Sequence, residues 1–307
     1  MSAHGGVVGA APAVGGGPAA AALAGQGLRP AVPGAVAGRD RPGGRPVHAA
    51  VRRLLYYLYE RRLVRQVRER PMPAHVGIIL DGNRRHARIH QLTDPHAIYR
   101  LGADKLDDVL AWCAELRIPA VTLWVLSTAN LERPSEEVSG ILAAIEAKMK
   151  ALAEDPQIHW RGIRVRAVGR IEHLPPSTVA AIRQAERATA AYAAMTVTIA
   201  VAYGGREEIV DAVRALLRDR AREGARPEDI AATLTPETIS RYLYTEALPD
   251  PDLIIRTSGE VRLSGFLLWQ SAYSEYYFSD VFWPAFRKID FLRAVRAYQQ
   301  RQRRFGQ

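Results

Sequence analysis

Four polar segments each follow an apolar run: Asp81-Gly82-Asn83-Arg84-Arg85, Ser127-Thr128-Ala129-Asn130-Leu131-Glu132-Arg133-Pro134, Tyr203-Gly204-Gly205-Arg206, and Arg256-Thr257-Ser258-Gly259-Glu260 with Arg262 and Ser264 beyond it. Arginine forks, hydroxyls and backbone N–H groups beside glycines are the donors that diphosphate oxygens accept. A helix starting just after Asp81-Gly82 would add its positive dipole end. Asp81 itself repels phosphate, and its presence makes sense if a magnesium ion bridges the two. Taken singly, each segment has an ordinary structural reading. Asp81 could be an N-cap, Gly204-Gly205 a tight turn, and Arg256 and Arg262 surface salt-bridge partners. Their recurrence at four successive positions points instead to a magnesium and phosphate or diphosphate site.

The elements that must position these groups are legible as an α/β pattern. Strands are predicted at Val76–Leu80, Val121–Leu126, Ile163–Val168, Val197–Ala202 and Leu253–Ile255. Helices are predicted at about 98–117, 135–153, 176–193, 206–222, 236–244 and 290–303. Thr235-Pro236-Glu237 has the form of an N-cap with proline at the first helical position. The strands are apolar on both faces, which implies a central, mostly parallel sheet flanked by helices. In such sheets ligands bind beyond the carboxyl ends of the strands, where the four polar segments fall. One domain accounts for residues 71–307, and 48% hydrophobic residues supply its core.

The amino-terminal part differs. Residues 1–45 are rich in Gly, Ala and Pro with few large apolar side chains, the composition of a disordered arm. They lack the early positive cluster and Leu-rich run of a secretory signal. Residues 46–70 form a basic helix in which Val51, Leu54, Leu55, Leu58 and Leu63 recur near helical spacing among Tyr56, Tyr57, Tyr59 and seven arginines. Such a helix can lie on an anionic membrane surface, or dock on its own domain or a partner subunit. The net charge of +10 resides mainly here: residues 1–70 carry +8 and the rest +2. A nucleic-acid-binding body would normally display its own basic face, so no nucleic-acid partner is expected. No run approaches the roughly 18 apolar residues of a membrane span. The single cysteine, Cys113, excludes an intrachain disulfide and fits a buried residue in a reducing cytoplasm, with residues 46–70 as the contact if the protein lies peripherally at the membrane's inner face.

The segment from His75 to Arg85 resembles the opening signature of the cis-prenyltransferases, the undecaprenyl diphosphate synthase family. Similar motifs continue through Leu126–Pro134, Ala202–Arg206, Asp252–Ser264, Phe266–Gln270, Tyr273–Glu275 and Arg303–Gly306. The resemblance implies an enzyme that joins isopentenyl diphosphate to an allylic diphosphate with magnesium, as a homodimer. Asp81 corresponds to the catalytic aspartate that handles the metal, and Gly82, Asn83, Arg84 and Arg85 to the loop around the allylic diphosphate. Arg256, Arg262 and Ser264 match the groups that hold the isopentenyl diphosphate, and Glu275 matches a second metal-associated carboxylate. Ser127, Asn130 and Arg133 fit the loop beside the reacting centre. Arg304 and Gly306 resemble a carboxy-terminal motif that reaches into the partner subunit's site. The resemblance leaves the proton acceptor open between Asn130, Ser127 and the diphosphate itself.

The chain departs from the long-chain pattern of the family. Leu131 and His86 stand where tryptophans are usual, Ala129 replaces a common Glu and Val261 a common His. Tyr99 stands where many members carry a diphosphate-binding His. A ring at His86 can simply pack or cap. Leu126-Ser127-Thr128, Tyr99-Arg100-Leu101-Gly102 and Leu263-Ser264-Gly265 are closer to actinobacterial short-chain members, which make (2Z,6E)-farnesyl diphosphate from geranyl diphosphate. Val125 occupies the position of a small Ala beneath the growing chain in long-chain enzymes. Each added carbon gains roughly 0.8 kcal/mol on burial only where there is room, and a bulkier Val125 opposes that gain. The expectation is a short-chain product, with decaprenyl or undecaprenyl diphosphate as the alternative. A non-catalytic scaffold subunit would lack Asp81, Arg256, Arg262 and Glu275. A haloacid-dehalogenase-type phosphatase needs an Asp at position 83, which is Asn.

Overall fold

Val76, Ile78 and Ile79 are all buried because the sheet they enter is covered on both faces. The computed structural model describes residues 46–301; the Gly/Ala/Pro-rich arm 1–45, Arg304 and Gly306 lie outside the described residues, as do the side chains of Val51 and Arg52. In chain order the elements are α1 (Pro46–Arg68), β1 (His75–Ile79), α2 (Asn83–Ile89), α3 (Pro95–Leu116), β2 (Ala120–Trp124), α4 (Ser135–Glu154), α5 (Pro156–Trp160), β3 (Ile163–Val168), α6 (Pro176–Ala188), β4 (Met195–Ala200), α7 (Gly205–Arg222), α8 (Pro227–Thr233), α9 (Pro236–Ser240), β5 (Leu253–Arg256), β6 (Glu275–Phe278) and α10 (Lys288–Gln300).

Among the described residues the sheet has six strands in the order β3-β4-β2-β1-β5-β6, and every pairing is parallel. From β1 the sheet extends on one side through β2, β4 and β3, with β4 inserted between β2 and the earlier edge strand β3, and on the other side through β5 and β6. The switch point therefore lies between β1 and β5, where a crevice opens beyond the strand ends. Register pairs Ile79 with Arg256 at that point, which brings the residues following β1 beside the end of β5.

The larger core lies on one face, where Val76, Ile78, Val121 and Leu123 pack with Leu106, Leu110, Ile141, Ile145 and Phe291. On the other face Ile79 and Ile254 pack with Tyr203, Phe266 and Leu267. Gly77 is required there, since a Cβ would stand 2.6 Å from Ile254 Cδ1 and 2.9 Å from Phe266 Cε1. Buried Glu208 in α7 accepts hydrogen bonds from the Tyr203 hydroxyl, Tyr244 N (2.9 Å) and Gln270 Nε2 (3.0 Å), tying the 263–270 segment to the sheet.

The five strands read from sequence are present within one or two residues. β6 was not anticipated: it is a four-residue, half-buried edge strand whose aromatic run lacks a clear period. The helix expected over 176–193 ends at Ala188, because the Thr189 hydroxyl donates to Ala185 O (2.8 Å) and accepts from Val165 N (3.0 Å). The helix expected to reach 244 ends at Ser240, and α5 and α8 are short helices missed altogether. α1 is docked on its own domain through its carboxy-terminal half. Leu63 and Val67 are fully buried, contributing about 2 kcal/mol each, and Gln299 Nε2 donates to Val67 O at 2.9 Å. Among the described residues no helix is long and apolar enough to cross a membrane.

Candidate active site

β1 hands the chain directly to Asp81, whose backbone is fixed before its side chain acts. Thr257 Oγ1 accepts from Asp81 N at 2.9 Å and donates to Asp81 O at 2.7 Å, and Trp283 N donates to the same carbonyl at 3.0 Å. Gly82 then turns the chain at φ 103°, where a Cβ would lie 2.7 Å from the Phe282 ring. α2 starts immediately, so Arg84, Arg85 and Arg88 follow at helical spacing.

Across the switch point Arg256 donates through Nη2 to Asp81 Oδ2 at 2.8 Å, and through Nη1 to Ser264 Oγ at 2.8 Å and to Arg262 O. Arg256 is almost wholly buried, and its Nε lacks a hydrogen-bond partner within the described protein. Arg85 donates to Ser258 Oγ at 2.7 Å and to Glu260 Oε1 at 2.9 Å, and its Nη2 lies 3.4 Å from Asp81 Oδ1. Glu260 also pairs with Arg262. Burial pushes the Asp81 carboxyl up, but the hydrogen bond and charge of Arg256, with help from Ser258 and Arg85, outweigh it and hold the group below the usual carboxylate range. Ser258 (φ 80°) and Ser264 (φ 53°) both occupy the left-handed region, a strained conformation retained in the loop that meets Arg256.

Ser127 and Asn130 hold each other. Ser127 Oγ accepts from Asn130 N at 3.1 Å, and Asn130 Oδ1 accepts from Ser127 N at 3.2 Å, closing a capping box at the short helical turn Thr128–Glu132. Arg133 follows and pairs with Glu137 at 2.8 Å.

These groups line one cleft of about 700 Å³. Asp81, Gly82, Asn83, Arg84, Arg85, Val125, Ser127, Asn130, Arg133, Arg256, Arg262 and Ser264 all reach it, joined by Arg88, Tyr99 and Glu260. Six arginines face two carboxylates there, so the cleft favours anions. A second, apolar pocket of about 60 Å³ runs beneath it between the sheet, α3 and α4. Leu80, Asn83, Tyr99, Val125 and Ile141 belong to both spaces, so the charged cleft and the apolar pocket adjoin along these side chains.

Glu275 is not brought to this cleft within its own chain. It begins β6, in register with Leu253 at the amino ends of the strands, and pairs with Arg301. Position along the chain concealed this, because residues that start a parallel strand lie at the opposite end from residues that finish one. Sequence reasoning missed Arg88, although its i,i+4 relation to Arg84 places both on one face of α2. It also missed Glu260 and Glu137 as parts of the network. His86 does not line the cleft; it packs on His90 at 4.3 Å between ring centroids, and burial with the neighbouring ring keeps it neutral more readily than usual.

The sequence profile of the undecaprenyl diphosphate synthase family matches residues 79–306. The chain belongs to this family. It is similar to a tritrans,polycis-undecaprenyl-diphosphate synthase (geranylgeranyl-diphosphate specific) of Methanopyrus kandleri, 54% identical over 82% of this chain and 91% of that protein. It is also similar to the (2Z,6E)-farnesyl diphosphate synthase of Thermobifida fusca, 52% identical over 82% of this chain and 97% of that one. Among solved structures, lavandulyl diphosphate synthase from Lavandula x intermedia in complex with dimethylallyl diphosphate superposes with a TM-score of 0.70 at 34% identity. The match covers 77% of this chain and 99% of that one. The family assignment makes the chain a cis-prenyltransferase and makes its cleft the place to look for the chemistry.

Proposed function

We propose that the cleft joins isopentenyl diphosphate to geranyl diphosphate, giving (2Z,6E)-farnesyl diphosphate. The observation that carries this reading is the junction of the arginine-lined cleft with the apolar pocket at Asn83, Tyr99 and Val125, since an allylic diphosphate needs both environments at once. Its hydrocarbon lies in the pocket and its diphosphate near Asn83, Arg84 and Arg85. The isopentenyl diphosphate is held by Arg256, Arg262 and Ser264, and the unpartnered Nε of buried Arg256 is a donor awaiting an anion.

Magnesium fits this arrangement as a companion of the substrate. Among the described residues no group of three or more His, Cys, Asp or Glu side chains converges. Asp81 is an ionised carboxylate at the cleft, and magnesium is commonly held by one or two carboxylates plus substrate phosphates. When bound, it supplies charge stabilisation to the departing diphosphate. The arginines act in the same sense as negative charge builds there. The bond from the allylic carbon to its diphosphate oxygen breaks, the isopentenyl double bond attacks that carbon, and a proton leaves to form the cis double bond. Ser127 Oγ and Asn130 Oδ1 already accept backbone N–H groups, which favours the departing diphosphate as the proton acceptor.

A longer product is the second reading, and one feature supports it. Ala103, Ala144 and Lys148 border both the apolar pocket and an outer groove of about 250 Å³ between α3 and α4, a path a longer chain could follow. Separate incubations with dimethylallyl, geranyl and farnesyl diphosphates, with products sized by mass, distinguish the two. A farnesyl product from geranyl diphosphate supports the first reading, and products of many isoprene units sink it. Val125→Ala is expected to lengthen the product by at least one isoprene unit, since it widens the junction; an unaltered product profile removes Val125 from length control.

We further propose that the outward face of α1 rests on anionic lipid. Leu54, Leu55, Tyr57 and Leu58 are each at least half exposed, and exposed Arg53, Arg61, Arg62 and Arg65 surround them. Deleting α1 would also remove the docked Leu63 and Val67, so the test is Leu54→Asp with Leu58→Asp. This variant is expected to sediment with phosphatidylglycerol liposomes several-fold less than the parent while keeping its turnover in solution. Equal sedimentation of both proteins disposes of the lipid contact.

A further inference from the structure

We propose that Glu137 is a positioning residue that sets the allylic-diphosphate side of the cleft, an inference resting on the two-substrate reading above. A single oxygen, Glu137 Oε1, gathers three donors from three other stretches of chain. The Tyr99 hydroxyl of α3 donates to it at 2.6 Å, Arg133 Nη1 after the short helical turn donates at 2.8 Å, and Arg84 Nε of α2 lies at 3.6 Å. Tyr99, Arg133 and Arg84 line the cleft, whereas Glu137 stands behind them, so it acts through its partners and touches no substrate.

The stoichiometry of charge gives this cluster its effect. One carboxylate faces two guanidinium groups, so it holds both without cancelling them and leaves net positive charge for an anion in front. Without it, two adjacent arginines repel each other, and side chains of their length spread over many rotamers. Burial and the hydrogen bond to Glu137 both push the Tyr99 phenol up, so its hydroxyl stays a donor at any working pH.

Position decides which substrate feels the change. Tyr99 belongs to both the cleft and the apolar pocket, so it stands where the head of an allylic substrate meets its tail. Arg256 is bonded to both Ser264 and Asp81, and Arg262 to Glu260; among the described residues none of the hydrogen bonds or ion pairs between side chains joins these three to Glu137. Loss of Glu137 therefore separates the Michaelis constants of the two substrates. A carboxylate in the first turn of a helix such as α4 also stabilises the helix dipole. That role alone alters stability and treats both substrates alike.

The test is steady-state kinetics of the full chain with each diphosphate varied in turn, alongside thermal unfolding. Glu137→Gln is expected to raise KM for the allylic diphosphate by about tenfold and KM for isopentenyl diphosphate by less than about twofold. Tyr99→Phe, which removes one hydroxyl and leaves the packing intact, is expected to raise the allylic KM by about threefold; it decides the matter if the Gln variant does not fold. An unchanged allylic KM in either folded variant, or an equal rise in both constants, overturns the inference. Absence of condensation by the unaltered protein is a different result, since it overturns the two-substrate reading itself.

Discussion

Replacing Asp81 by alanine is expected to lower kcat by about a thousandfold while the chain remains folded. The backbone at this position is held by Thr257 and Trp283 through main-chain atoms, which the substitution leaves in place. What disappears is the cleft carboxylate proposed above to hold magnesium. The variant carries a second signature. Arg256 spends one arm of its guanidinium on Asp81 Oδ2, and that arm is released in Asp81→Ala. In metal-free buffer the variant is therefore expected to bind isopentenyl diphosphate at least as tightly as the parent, a comparison open to titration calorimetry. Catalysis collapses and metal-free binding does not. Activity surviving within tenfold of the parent would falsify the role assigned to Asp81.

Arg256→Ala is expected to have the second largest effect, raising KM for isopentenyl diphosphate by about a hundredfold. The residue is buried, makes two hydrogen bonds that shape the 262–264 loop, and keeps an unpartnered Nε. The stability consequence has a definite sign. Asp81 is held below its ordinary value in the folded protein, so the Asp81–Arg256 pair contributes stability that is complete above the unfolded carboxylate value near 4 and fades as pH falls through the lower folded value. Breaking the pair leaves a half-buried carboxylate with only the longer contact to Arg85, at a cost of about 2 kcal/mol after allowance for its partial exposure. Urea unfolding of parent and variant without metal is thus expected to differ by at least that amount at neutral pH, with the gap narrowing by about 2 kcal/mol below about pH 4. A gap that does not narrow in acid means that Arg256 stabilises the fold only by routes other than Asp81, such as its bonds to Arg262 O and Ser264.

The cleft was legible wherever a buried apolar run stops abruptly on groups too polar to be buried without a purpose. Ile78-Ile79-Leu80 ending on Asp81, and Ile254-Ile255 ending on Arg256, are of this kind, and the doubly covered sheet follows from strands with no polar face. Glu137 was not legible, because an acid three residues into a helix is already explained by the helix itself. Glu260 reads as a loop residue until the arginines on either side of it are known. β6 is too short and too exposed to declare its period. Glu275 sits within a familiar motif, yet its own chain places it at the far end of the sheet, since strand direction and not motif membership decides which end a residue occupies.

By itself the sequence determined the α/β class, the parallel strands and the residue types that could grip a diphosphate, because those depend on local apolar periodicity and on side-chain chemistry. The tertiary structure alone decided which of those residues meet. Asp81 and Arg256 lie 175 positions apart and touch only because β5 crosses to the free side of β1. The same long-range packing of α3 and α4 against the sheet seats an apolar pocket beneath the charged cleft and puts Val125 at the junction. No run of neighbouring residues encodes that junction, since it is formed by faces that the chain brings together only when the sheet is complete.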